Sequence, residues 1–227
     1  MLRKVLLGCG IAASLLYFGM DVLAASRYDG YSYTGQTISE LSAVGAPTRS
    51  LWIPLGFVYS ILMVASGIGI WASAGQKRAL GVVAGLVAGI GIVGLVAWPF
   101  APMHRREVLA AGGATRADTM HIILGAVDTV LFTLSIAFGA TAFGKRFRLY
   151  SIATILFVLG FGALTGMAGP KIADNEPTPW VGVHERIAVF GSMLWVAVLA
   201  AGLLRARGAI APRRPGKPAV TPRLIPR

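Results

Sequence analysis

Six long apolar runs decide what this chain can become. They lie at residues 5–25, 51–74, 79–100, 119–143, 149–168 and 183–204, each near the ~20 residues an α-helix needs to cross a ~30 Å hydrocarbon layer. Inside a bilayer no water reaches backbone N–H and C=O groups, so a spanning segment satisfies them within its own helix. The predicted fold is all-α: a polytopic integral membrane bundle of six helices over residues 1–204. A chain that is 56% hydrophobic and 13% charged, with mean hydropathy +0.71, belongs with membrane proteins rather than soluble domains.

The net charge is +12. In a soluble protein that excess would suggest nucleic acid, but here its distribution points to topology. Arg3, Lys4, Lys77, Arg78, Lys145, Arg146, Arg148, Arg205 and the basic residues after it all fall on one side of the predicted spans. The opposite side holds the nine acids, counting those within or at the ends of spans. The positive-inside rule then places both termini, and the short connections 75–78 and 144–148, in the cytoplasm of a bacterial inner membrane. Nucleic acid is not an expected partner, because the basic residues are split among loops and a tail. Residues 205–227 are rich in Pro and Arg, which predicts a disordered basic cytoplasmic tail suited to anionic lipid headgroups.

Arg3-Lys4, the first apolar run and Val22-Leu23-Ala24 imitate a cleavable signal peptide; the reading adopted keeps the first span. A single cysteine, Cys9, offers no disulfide framework.

The outer connections are the long ones, and long connections tend to carry function. In the first, residues 26–50, Thr37-x-x-Glu40 fits a capping box, Ile38, Leu41 and Val44 line one face, and Gly45 with Pro47 supplies a stop. This predicts a short amphipathic helix lying in the interface, or else a lid with Ser39 and Glu40 pointing into an outward-facing cavity. Tyr28, Tyr31, Tyr33, Trp52, Trp98 and Trp180 sit where an aromatic belt is expected. The rows Gly81-x-x-x-Gly85-x-x-x-Gly89 and Gly162-x-x-x-Gly166 predict close helix contact within the bundle, with a homodimer through the glycine-rich helices as the other use of such a row.

The fourth span carries the most unusual stretch. Asp118, His121, Gly125 and Asp128 share one stripe, with Asp128 roughly 10 Å deeper than His121. A carboxylate at such depth faces other helices or a wet cavity and marks a candidate site. At the start of the sixth span Glu185 and Arg186 point roughly 100° apart, so each needs another partner. Arg186 is the natural counter-ion for Asp128, Asp118 or Asp21, and a network of Asp21, Asp128 and Arg186 is the expected structural arrangement. Its functional counterpart uses the planar Arg186 fork on a lipid phosphate or a carboxylate. The candidate ligand-binding residues are therefore Asp21, Glu40, Asp118, His121, Asp128, His184, Glu185 and Arg186.

His104, His121 and His184 all lie on the outer side, and with nearby carboxylates they could hold zinc. No His-x-x-x-His or His-Glu-x-x-His spacing is present, so no cofactor is assigned. Glycines lie in spans without the Gly-Lys-Ser/Thr ending of a nucleotide loop, and no span shows a haem pair or a Schiff-base lysine.

The elements Ile38-Ser39-Glu40-Leu41 before the second span and Arg186 at the start of the sixth resemble those of the prokaryotic membrane proteins catalogued as domain of unknown function 998, over most of residues 5–204. That resemblance implies a six-span integral membrane protein and carries no established activity. The reading taken forward is a membrane protein whose outward-facing polar pocket, built from spans 1, 4 and 6 and roofed by the first outer loop, binds a lipid headgroup or small amphiphile. The alternatives are a small proton- or cation-coupled transporter working through Asp128, and an intramembrane metal-dependent lipid hydrolase.

Overall fold

A computed structural model describes residues 1–206. The tail expected at residues 205–227 therefore lies, beyond residue 206, outside the described residues. Six helices are long and apolar enough to cross a membrane: α1 (Leu2–Ala25), α2 (Arg49–Ala74), α3 (Arg78–Val96), then, after a short α4 (Arg106–Ala110), α5 (Arg116–Gly139) and α6 (Lys145–Met167), and, after a short α7 (Gly169–Ala173), α8 (Val181–Arg205). The protein is a multi-pass α-helical membrane bundle.

The bounds follow local chemistry. α3 stops at Val96 and tightens into a 3₁₀ turn at Trp98–Phe100, where Pro99 supplies no N–H to continue an α-helix. α5 starts before the apolar run because Thr115 caps it: its hydroxyl accepts from the Ala117 N–H, and Asp118 returns a carboxylate to the Thr115 N–H at 2.8 Å. α2 ends on Gly75, whose φ of 54° few side-chain-bearing residues adopt.

Each long helix packs against the next, and α8 closes back on α1, so the six form a ring in chain order. Apolar side chains such as Ile122, Leu156 and Leu194 line the outside. The main core, with Leu7, Met63, Ile70, Val83, Val87, Ile136, Trp195 and Leu199, fills the ring. Trp195 is wholly buried, donates to Ser151 at 2.9 Å and lies over Gly139, where a Cβ would come within 2.5 Å of its ring.

The close α2–α3 approach runs through Gly67 and Gly91, where an added Cβ would meet the facing backbone at 2.8 and 2.5 Å. The expected rows play no such part. A Cβ on Gly85, Gly89, Gly162 or Gly166 meets nothing within 4 Å, and one on Gly81 would meet only the Trp71 ring of α2, at 3.7 Å.

The first outer loop also differs from the amphipathic α-helix expected at the interface. It forms a five-residue 3₁₀ turn, Ile38–Ser42, set into the bundle end. Ile38 and Leu41 sink between Met20, Ala24 and Trp52, while Val44 stays exposed because the chain leaves the turn to pair with the second loop, donating from its N–H to the Met103 carbonyl at 2.8 Å.

Candidate functional site

The end of the ring opposite Met1 and Arg205, called outer here, holds most of the candidate site residues. They do not converge on one point; they sort into separate constellations.

The first is a clamp on Arg186. Its Nε and Nη2 donate to the two oxygens of Asp21 at 3.1 and 3.0 Å, and Nη2 also donates to the Tyr31 hydroxyl at 2.7 Å. Nη1 donates to the carbonyls of Tyr33 (2.8 Å), Gln36 and Gly182. The Tyr33 ring covers the guanidinium at 3.6 Å, and its hydroxyl donates to Asp21 at 2.6 Å. All five N–H groups of the fork are thus spent inside the protein. Burial raises the Tyr31 and Tyr33 phenols above the ordinary tyrosine range, and for Tyr33 the bond to Asp21 adds to the rise.

The second clamp was not foreseen. Arg106 on α4 donates from Nε and Nη2 to the two oxygens of Glu40, at 2.6 and 2.8 Å, and from Nη1 to Thr178 at 2.8 Å. Nη2 also reaches the Gly35 carbonyl at 3.0 Å. Glu40 accepts in addition from Thr37 N–H (2.7 Å), the Thr37 hydroxyl and Gln36 Nε2. One buried pair thereby ties all three outer loops together. Glu185 holds the same roof from beneath, accepting from the Ile38 N–H at the start of the 3₁₀ turn.

Asp118 belongs to neither clamp. It accepts from the His104 N–H at 2.7 Å, and its Oδ2 lies 2.9 Å from His104 Nδ1. His184 lies beside the Phe161 ring on α6, centroids 5.8 Å apart.

The remaining pair is different in kind. Asp128, near the middle of α5, accepts from Trp98 Nε1 at 2.9 Å through Oδ2, and its buried Oδ1 has no partner. His121, two turns outward, bonds through Nδ1 to the Ala101 carbonyl at 2.9 Å, and its buried Nε2 has no partner. Because a carbonyl only accepts, Nδ1 carries a proton, and in the neutral ring Nε2 is then an acceptor. Trp98 links the two, its indole edge-on to His121 at 4.8 Å. Between them a Cβ on Gly125 would meet nothing within 4 Å.

The structure therefore corrects the expected network. Arg186 pairs with Asp21 alone; Asp128 takes Trp98 instead, because α5 packs on α3 and α6 and scarcely touches α8. Among the described residues, the groups expected to line one pocket on spans 1, 4 and 6 divide between partners, Asp21 with Arg186 and Asp128 with Trp98. The Arg186 fork, read as a grip for a phosphate, has no free donor. Among the described residues no three His, Cys, Asp or Glu side chains gather to hold a metal.

Six long apolar helices closed into a ring, with buried ion pairs binding the loops at one end, define a polytopic α-helical membrane protein. A family profile described as protein of unknown function (DUF998) matches residues 11–202, and the chain belongs to that family. The match runs from the first span to the last. No curated protein and no solved structure matches the chain.

Proposed function

We propose that this protein, in the cytoplasmic membrane of a bacterium, binds a small amphiphile whose polar head lies beside α5, at His121 and Asp128, under a roof held by the two arginine clamps. One observation carries the reading: His121 Nε2 and Asp128 Oδ1 are buried acceptors without a protein partner. Such groups are costly inside a membrane and mark pathways or sites. Access from the lipid is consistent with the neighbouring helix, since no residue of α6 from Leu159 through Met167 is buried. Of the original candidates, Asp21, Glu40, Glu185 and Arg186 support the roof, and Asp118 holds the second loop through His104.

The test is extraction of the protein with its surrounding lipid into polymer discs, followed by mass spectrometry of the retained small molecules. Wild type should hold an amphiphile enriched over the bulk membrane, lost from both His121→Phe and Asp128→Asn. Identical profiles for all three would overturn the reading.

The depth of Asp128, close to the midpoint of the 24-residue α5, favours a second reading: a proton- or cation-coupled carrier with Asp128 as the coupling carboxylate. Proteoliposomes with an entrapped pH dye would then show potential-driven proton entry that Asp128→Asn abolishes. Equal entry in wild type and variant would remove this reading.

A further inference from the structure

Resting on the amphiphile reading, we infer that the head group bound at α5 is cationic: an ammonium seated on Asp128, with a second hydrogen-bond donor facing His121. Three observations narrow the chemistry. First, both unpartnered atoms are acceptors. Asp128 Oδ2 is taken by the Trp98 N–H and Oδ1 is bare; His121 Nδ1 is committed to the Ala101 carbonyl, which leaves Nε2 a lone pair. A phosphate or carboxylate would bring like charge to an ionised Asp128 and further acceptors to both atoms.

Second, among the described residues no Lys or Arg pairs with Asp128. The buried arginine forks at this end are closed, Arg186 on Asp21 and Arg106 on Glu40, and His104 faces Asp118. A carboxylate inside a membrane without a counter-ion favours a ligand that brings the missing positive charge.

Third, the two atoms sit on one face of α5, seven residues apart, which at ~1.5 Å per residue separates them by about 10 Å along the helix. A Cβ on Gly125 would meet nothing within 4 Å, so there is space beside the helix between them. A ligand lying along this face would span both acceptors, its ammonium deeper than its second donor.

The experiment compares three probes with the same chain, dodecylammonium, dodecanol and dodecyl phosphate, by equilibrium binding to the purified full-length protein in maltoside micelles at neutral pH. Wild type should bind dodecylammonium at least tenfold more tightly than dodecanol, with dodecyl phosphate weakest. Asp128→Asn, which keeps an acceptor for Trp98 but removes the charge, should bring dodecylammonium down to the level of dodecanol. Dodecyl phosphate binding as tightly as dodecylammonium, or an ammonium preference surviving in Asp128→Asn, would overturn the inference. If dodecanol and dodecylammonium bind equally well and His121→Phe weakens both, the amphiphile site stands and its cationic selectivity falls. If none of the probes saturates, both fall. The order of the three probes on wild type decides the matter even where Asp128→Asn fails to fold.

Discussion

Replacing Arg106 with Met should unfasten the outer loops while leaving the membrane helices in place. Arg106 is 8% exposed and makes two charge-assisted bonds to Glu40, itself 4% exposed, together with bonds to Thr178 and the Gly35 carbonyl. Removing one member of a buried ion pair costs about 3–5 kcal/mol, chiefly because the other charge stays buried without its partner. Here Glu40 keeps the Thr37 N–H, the Thr37 hydroxyl and Gln36 Nε2, so the low end, about 3 kcal/mol, applies. At 1.4 kcal/mol per decade that raises the open population of the loops roughly 100-fold. The assay is hydrogen exchange by mass spectrometry on protein in lipid discs, read at the amides of residues 35–42 against those of α2 as an internal standard. Glu40→Met should accelerate the same amides, and the Arg106→Met/Glu40→Met double variant should recover part of the loss, since no uncompensated charge remains. Exchange within twofold of wild type, or strictly additive single effects, would refute the clamp.

Other consequences follow from the same geometry. Because burial raises the Tyr31 and Tyr33 phenols, their contribution is intact below the ordinary tyrosine value of about 10 and is lost as pH rises through their folded values; loop exchange should accelerate above pH ~10, and Tyr31→Phe/Tyr33→Phe should flatten that response. Gly139→Ala would bring a Cβ within 2.5 Å of the Trp195 ring and should cost about 1–3 kcal/mol in a detergent unfolding titration. Gly125→Ala should raise helix stability by about 0.5–1 kcal/mol, whereas Gly125→Phe should keep the fold and abolish retention of the amphiphile in polymer discs.

The six spans were legible because each is a long apolar run with basic residues gathered at one set of ends. Their ring was legible only in part: the short cytoplasmic connections make α2 and α3, and α5 and α6, neighbours, but nothing in the sequence sets α5 beside α3 rather than α8. Asp21 was among three possible partners for Arg186, and only packing chose it. Arg106 could not be singled out from the other basic residues of the outer loops, because its partner Glu40 lies 66 positions away and was expected in a capping box or facing a cavity, not in an ion pair. Asp118 offered a clearer signal that went unused: Thr115-x-x-Asp118 has the same spacing as Thr37-x-x-Glu40, and both are capping boxes in the structure. Trp98 was assigned to an aromatic belt on its position. Its role as a donor to Asp128 depends on α3 ending early at Val96, which lets the indole turn inward to meet α5.

The central claim is a division of labour: Asp21 and Glu40 hold the structure together, whereas Asp128 is held in reserve for a ligand at some cost to stability. Unfolding free energies of Asp21→Asn, Glu40→Gln and Asp128→Asn, measured without added ligand in one detergent, test it directly. The first two should lose about 3 kcal/mol or more, while Asp128→Asn should be as stable as wild type or more so. An Asp128→Asn variant as unstable as Asp21→Asn would contradict the account.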